Sequence, residues 1–348
     1  MTHSLDRRRF LHGTAAAGAA LAMPGPASAQ ATRELVIVSF AGSLQEPHQW
    51  LARQMEARHP GLKIRLVPSE SQDVVAQIKA AQGVSPYDVM PNGEPPHLIA
   101  QRDGYIQKVK PDTIANYSNV FPDFIAKSGG FGVPASYSLI GLAYNDKLVP
   151  APKAWTDLWK PEYRGKIGIP RASSNLGLGV LVVAAKVHGG SEDNLEPGWA
   201  KLQELKPAVG RSPTQLLQML EREEIGIAPI WNNDAAGAAE KGLPVKFVQP
   251  DPGPVAIISF MSEITGTRHP ELAREWMNAV LSPEYQAYAA KAPYYFGPVV
   301  KGVAVPDSAR AYTPSTPEEV LRLQTVDWSK IAPVRGRIVE QFDRLFAS

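Results

Sequence analysis

The 348-residue sequence contains no cysteine. That absence excludes disulfides, thiolate metal centres and a cysteine nucleophile. It also removes the lipidated cysteine that would anchor an exported protein to a membrane. Long apolar runs are lacking too: Gly13 to Met23 is short and rich in Ala and Gly, too short to cross about 30 Å of hydrocarbon. There is little excess charge, formally +2. Arg7, Arg8 and Arg9 face only Asp6 in the first 29 residues; beyond them 33 of the 36 basic and 33 of the 34 acidic residues remain. No basic surplus is left to bind nucleic acid. The metalloprotease HExxH, the nucleophile-elbow GxSxG and the Walker A loop are likewise missing, which removes the commonest sequence signatures of hydrolases and nucleotide-binding enzymes.

What is present suits a soluble protein large enough for two lobes, each with its own core. Hydrophobic residues make up 44% and charged residues 20%, and the 32 prolines favour extended connections over a helical bundle. Arg7-Arg8-Arg9-Phe10-Leu11-His12 resembles the twin-arginine export motif, with Asp6 and His12 departing from its first and last positions. Ala27-Ser28-Ala29 fits a small-x-small cleavage site, so cleavage is expected before Gln30.

Glu34 to Phe40 reads as a strand, Leu44 to Arg58 as a helix stopped by His59-Pro60-Gly61, and Leu62 to Val67 as a second strand. This order is a βαβ unit and predicts a parallel sheet. Further helices are expected from Val74, Pro95, Leu176, Leu216, Ala235, Pro270 and Ser282, and a helical tail over Pro314 to Phe346. The stretch Gly132 to Pro170 organises the chain. Leu139 to Tyr144 is an apolar strand, Asn145-Asp146-Lys147 a turn, Ala154 to Trp159 a short amphipathic turn and Ile167-Gly168-Ile169-Pro170 a buried strand.

Several segments carry a resemblance. Ile140-Gly141-Leu142-Ala143-Tyr144-Asn145, the run from Trp155 through Pro161-Glu162-Tyr163-Arg164-Gly165-Lys166-Ile167, Tyr87-Asp88-Val89, Trp231-Asn232 and the loop Ala292 to Pro298 all match one pattern. The chain resembles periplasmic substrate-binding proteins of ABC importers, the polyamine-binding branch in particular. The resemblance implies an α/β type II periplasmic binding protein fold: two lobes joined by two crossing strands, with a ligand cleft between them. The first crossing follows Val133-Pro134 and the second is Val255 to Phe260. The implied lobes are residues 30–136 with 256–307, and 137–255 with 308–348.

In open α/β sheets ligands bind past the carboxyl ends of the strands. Ser39, Phe40 and Ser43 lie there after the first strand, although Ser43 also suits a helix cap. Glu94 follows the third strand and could meet an ammonium group or stand as a solvated carboxylate. Arg171, Ser173, Ser174 and Asn175 occupy a segment that is acidic in polyamine-binding relatives; here an arginine could grip a carboxylate through two parallel hydrogen bonds. The resemblance further implies a small polar contact at Thr214, an aromatic wall at Trp231 with Asp234 close behind, Ser259 on the second crossing, and Tyr294 and Tyr295 on a loop returning to the cleft. Adjacent tyrosines also suggest iron, but no carboxylate or histidine cluster accompanies this pair.

The expected protein is therefore a periplasmic, monomeric, non-enzymatic solute binder without cofactor or metal. It would capture a small solute and deliver it to an ABC permease in the inner membrane. Loss of acid in two cleft segments points to an anionic or neutral ligand, because a buried dication without carboxylates loses its hydration with no paired charge in return. A genuine polyamine binder and a periplasmic enzyme on the same fold are the alternatives.

Overall fold

The computed structural model describes residues 33–40, 44–314 and 316–346. The expected export motif, its cleavage site and Ser43 lie outside those residues.

Strand β1 (Arg33–Ser39) carries Leu35, Val36, Ile37 and Val38, all buried. Such an unbroken apolar run belongs to a strand covered on both faces. Helix α1 (Gln45–Arg58) buries Leu51, Ala52 and Met55 and leads to β2 (Leu62–Pro68), which pairs parallel with β1. This is the predicted βαβ unit. Helix α2 (Ser71–Ala80) begins three residues before the expected Val74, because the Ser71 hydroxyl bonds to Pro91 O (3.1 Å) and receives Gly93 N–H (3.3 Å). Strand β3 (Val89–Gly93) runs through Asn92 and Gly93. Glu94 then opens helix α3 (Glu94–Arg102), with proline in the first turn, where its missing N–H costs nothing.

After α4 (Pro122–Lys127) comes β4 (Val133–Tyr144), one continuous strand with an irregularity between Pro134 and Ser136. A 3-10 turn at Trp155–Trp159 follows, its Trp155 indole donating to Gly253 O at 2.9 Å. The chain continues through β5 (Gly168–Pro170), α5 (Asn175–Val187), α6 (Glu196–Glu204), β6 (Ala208–Gly210) and α7 (Pro213–Glu221). Next are β7 (Ile227–Trp231), α8 (Asn232–Glu240), β8 (Lys246–Val248) and β9 (Val255–Glu263). Helices α9 (Pro270–Val280) and α10 (Pro283–Ala290) precede the tail. The tail is not one helix: α11 (Pro317–Leu321), β10 (Gln324–Thr325), α12 (Trp328–Ile331) and α13 (Arg335–Phe346) divide it. It breaks because Gln324 and Thr325 pair with Val255 and Ala256 of β9.

The main sheet runs in the order β2-β1-β3-β9-β4-β7, with β10 added to β9 and β8 to β4. Strands β4 and β9 pair antiparallel over most of their length, from Val133↔Met261 to Ile140↔Val255. They carry the chain between two hydrophobic cores. Val133, Ala135, Tyr137 and Leu139 belong to a core built around Leu35, Trp276 and Phe260. Ile140, Leu142 and Tyr144 belong to another, built around Trp155, Leu181 and Trp328. The tail closes this second core with Ile338 and Phe342, while Val320 and Leu323 pack on the first.

Helix α5 meets the loop before it closely. A Cβ on Gly177 would stand 2.0 Å from the Arg171 carbonyl oxygen, which is backbone and cannot yield. That approach lets the Ser174 hydroxyl cap the helix, accepting Gly177 N–H at 3.1 Å. Gly177→Ala should therefore destabilise the protein by about 1–3 kcal/mol, although alanine normally favours a helix by about 1 kcal/mol. Thermal melting checks this; an unchanged or raised melting temperature would contradict it.

Candidate binding cleft

A cavity of about 280 Å³ lies over the crossing strands, its floor formed by Ser138 of β4 and by Ile257 and Ser259 of β9. On one wall Phe40 follows β1, and Glu70, Ser71 and Gln72 start α2. Gly93 and Pro96 complete that wall at the junction of β3 and α3. The opposite wall is built from Asn175 at the start of α5, Trp231 and Asn233 at the junction of β7 and α8, and Arg335 at the start of α13. Helix starts present backbone N–H groups and a positive dipole end, an environment favourable to negative charge.

Among the described residues Arg335 is the one cation on these walls. Its guanidinium donates to Asn175 Oδ1 at 3.1 Å and to the Ser173 carbonyl at 2.6 Å. Both acceptors are neutral, and among the described residues no carboxylate pairs with it. Burial pulls its pKa below the usual arginine value, the direction expected of a cation short of counter-charge.

Arg171, expected to be this cation, is elsewhere. Its guanidinium lies 3.6 Å from Asp343, both side chains roughly half exposed. The turn at Ser174, held by that hydroxyl's bond to Arg171 O (3.0 Å), leaves Arg171 off the cleft wall. Ser173 contributes only its carbonyl and Ser174 is the α5 cap. Asn175 does reach the cavity, together with Phe40, Trp231 and Ser259. Ser39 is fully buried, its hydroxyl 2.7 Å from His48 Nδ1. Thr214 is exposed in the first turn of α7, where Ser212 supplies the cap. Asp234 sits half-buried behind Trp231, off the cavity wall, its pKa raised by burial.

The two tyrosines also depart from expectation. Tyr294 and Tyr288 both donate to Glu46 Oε2, and Tyr294 packs on the first core. Tyr295 is buried and donates to Glu240. Neither forms a cavity wall, because each phenol is committed to a carboxylate of a neighbouring helix. The Tyr295 carbonyl does support the site. The buried Asn232 amide donates to it (2.7 Å) and to Tyr312 O (3.1 Å), and its oxygen accepts Leu139 N–H at 2.8 Å. One side chain thereby fixes Trp231 and Asn233 relative to β4.

Glu94 lies off the walls of this cavity and is not a solvated loop residue. It is buried, and its Oε2 accepts Ile258 N–H (3.3 Å) and the Trp328 indole N–H (2.9 Å). It faces a separate cavity of about 70 Å³ that also meets His97, Lys127 and Asp327. Burial pushes its pKa up to about 7, against the opposing pull of its hydrogen bonds and of Lys127.

Nothing local singled out Arg335, which lies 160 positions from Asn175 in the sequence. Glu70 and Gln72 had a usable signal: they follow the carboxyl end of β2, so the rule applied to β1 covers them as well.

The fold is that of type II periplasmic solute-binding proteins, and the chain belongs to the bacterial extracellular solute-binding protein family, which it matches over residues 50–314. An extracellular solute-binding protein from Bordetella parapertussis, described as putative, superposes with a TM-score of 0.80 at 24% identity, over 89% of this chain and 98% of that one. An ABC transporter protein from Clostridium perfringens gives 0.79 at 22% identity, over 90% and 99%. In sequence, the spermidine/putrescine-binding periplasmic protein of Escherichia coli is 25% identical over 205 residues, 55% of this chain. The chain spans 57% of that relative's length.

Glu94 yields a pH prediction. Its carboxyl titrates near 4.5 when unfolded and near 7 when folded. Between those values the folded protein holds a proton that the unfolded chain has released. The stabilisation is thus full below the unfolded pKa and is lost as pH rises through the folded one. Glu94→Gln should flatten the fall in melting temperature between about pH 5 and about pH 8. An unaltered slope would show that Glu94 does not titrate there.

Proposed function

We propose that this protein is the periplasmic solute-binding component of an ABC importer. It captures a small polar solute bearing an anionic group by closure of two lobes over the cleft, and delivers it to a permease in the inner membrane. It works as a monomer and as a binder, not an enzyme. Family membership supports the transport reading, and no helix among the described residues is long and apolar enough to cross a membrane. The Arg7-Arg8-Arg9 segment and Ala27-Ser28-Ala29 support export by the twin-arginine route with cleavage before Gln30. The change of core between Leu139 and Ile140 supports a hinge near the proposed boundary at residues 136 and 137.

One observation carries the choice of ligand: among the described residues Arg335, on the cleft wall, is bonded only to neutral acceptors. A cation left so on closure loses hydration unless an anion meets it, and a guanidinium suits the two oxygens of a carboxylate or phosphonate. A polyamine reading has Glu70 and the Escherichia coli relative's name in its favour. Yet an ammonium group beside Arg335 would meet like charge.

Calorimetry with small carboxylates and phosphonates beside putrescine and spermidine tests this. Arg335→Gln should weaken binding of the anionic ligand by about 2 kcal/mol, roughly thirtyfold in Kd. Tight polyamine binding that survives Arg335→Gln would overturn the reading.

A further inference from the structure

Among the described residues Glu70 is the only carboxylate on the cavity walls, as Arg335 is the only cation. The two stand on opposite walls. Glu70 precedes α2, whose Val74, Val75 and Ile78 pack with Val38 and Met90 of the β1–β3 side. Arg335 opens α13, whose Ile338 and Phe342 belong to the other core. Among the described residues neither charge has an oppositely charged partner: Glu70 has no side-chain partner, and Arg335 has only the Ser173 carbonyl and the Asn175 amide.

We infer that the ligand is a zwitterion, with a carboxylate on Arg335, an ammonium group on Glu70 and an apolar spacer between Phe40 and Trp231. This deepens the anion-binding reading above and rests on it. As the walls approach, each unpaired charge loses water, and only a ligand charged oppositely at its two ends compensates both losses. The same pair also rejects. A dicarboxylate brings its second anion to Glu70, and a diamine brings an ammonium group to Arg335, so each homoionic class meets repulsion at one end. The aromatic faces of Phe40 and Trp231 offer nothing polar to a methylene chain but favourable apolar contact, and an indole face accepts a nearby ammonium group as well.

Calorimetry with matched series tests the inference. The probes are ω-amino acids from glycine to ε-aminocaproate, with monocarboxylates, dicarboxylates and diamines of the same chain lengths. At least one ω-amino acid should bind about ten- to a hundredfold more tightly than its matched monocarboxylate. Glu70→Gln should remove the advantage of the ω-amino acid over its matched monocarboxylate, with an unaltered melting temperature showing that the variant is folded. Monocarboxylates or dicarboxylates binding as tightly as every ω-amino acid would overturn the zwitterion while leaving Arg335 as an anion anchor. Failure of all carboxylates, with or without diamine binding, would overturn both.

Discussion

The antiparallel pairing of β4 with β9 is the constraint on which the cleft depends. Both strands pass from one hydrophobic core to the other, and their paired segment supplies the cavity floor. Wall residues on both sides are placed by strands that pair with that ribbon. Trp231 is held by β7, which pairs with β4 at Ile140, and Gly93 by β3, which pairs with β9 at Ser259. The Asn232 amide ties the ribbon at Leu139 to the Tyr295 and Tyr312 carbonyls. A fully satisfied buried amide of this kind fixes geometry, because losing any one partner leaves a polar group dry and unpaired. Among the described residues the ribbon and the tail segment are the covalent routes between the cores, so the proposed closure would bend these two strands.

On this frame the protein places two charges that it does not neutralise itself. Several of its partly buried carboxylates are paired: Glu263 with Arg274, Glu192 with Lys186, Asp157 with Lys160. Arg335 and Glu70 differ in facing a common space. An open cleft keeps both hydrated at little cost, whereas a closed one requires partners for them. In the proposed closure, ligand charge would thus be coupled to the motion. Glu94 shows the other solution for a buried carboxyl: with burial outweighing the two hydrogen bonds it accepts and Lys127, its proton is retained to higher pH.

The architecture was legible because it is written in local patterns. The apolar run of β1, the βαβ spacing and the segment from Trp155 to Ile167 all read directly into the observed elements. Strand ends read less well. The Ser71 hydroxyl drew α2 forward, and proline in the first turn of α3 placed Glu94 in a helix and not in a loop. The site was legible where it lies at strand ends, as for Phe40, Trp231 and Ser259. It was not legible where it depends on long-range placement. Arg171 and Arg335 have the same chemistry, and only the packing of α13 beside α5 decides which faces the cleft. Tyr294 and Tyr295 went astray for a related reason, since the glutamates that engage them lie 248 and 55 positions away.

The most direct test of the account is a crystal structure of the protein purified without denaturation, with whatever solute it retains from the cell. The account predicts closed walls and an anionic group of the solute hydrogen-bonded to the Arg335 guanidinium. A retained solute whose cationic groups meet carboxylates, while Arg335 stays engaged only with Ser173 and Asn175, would contradict it.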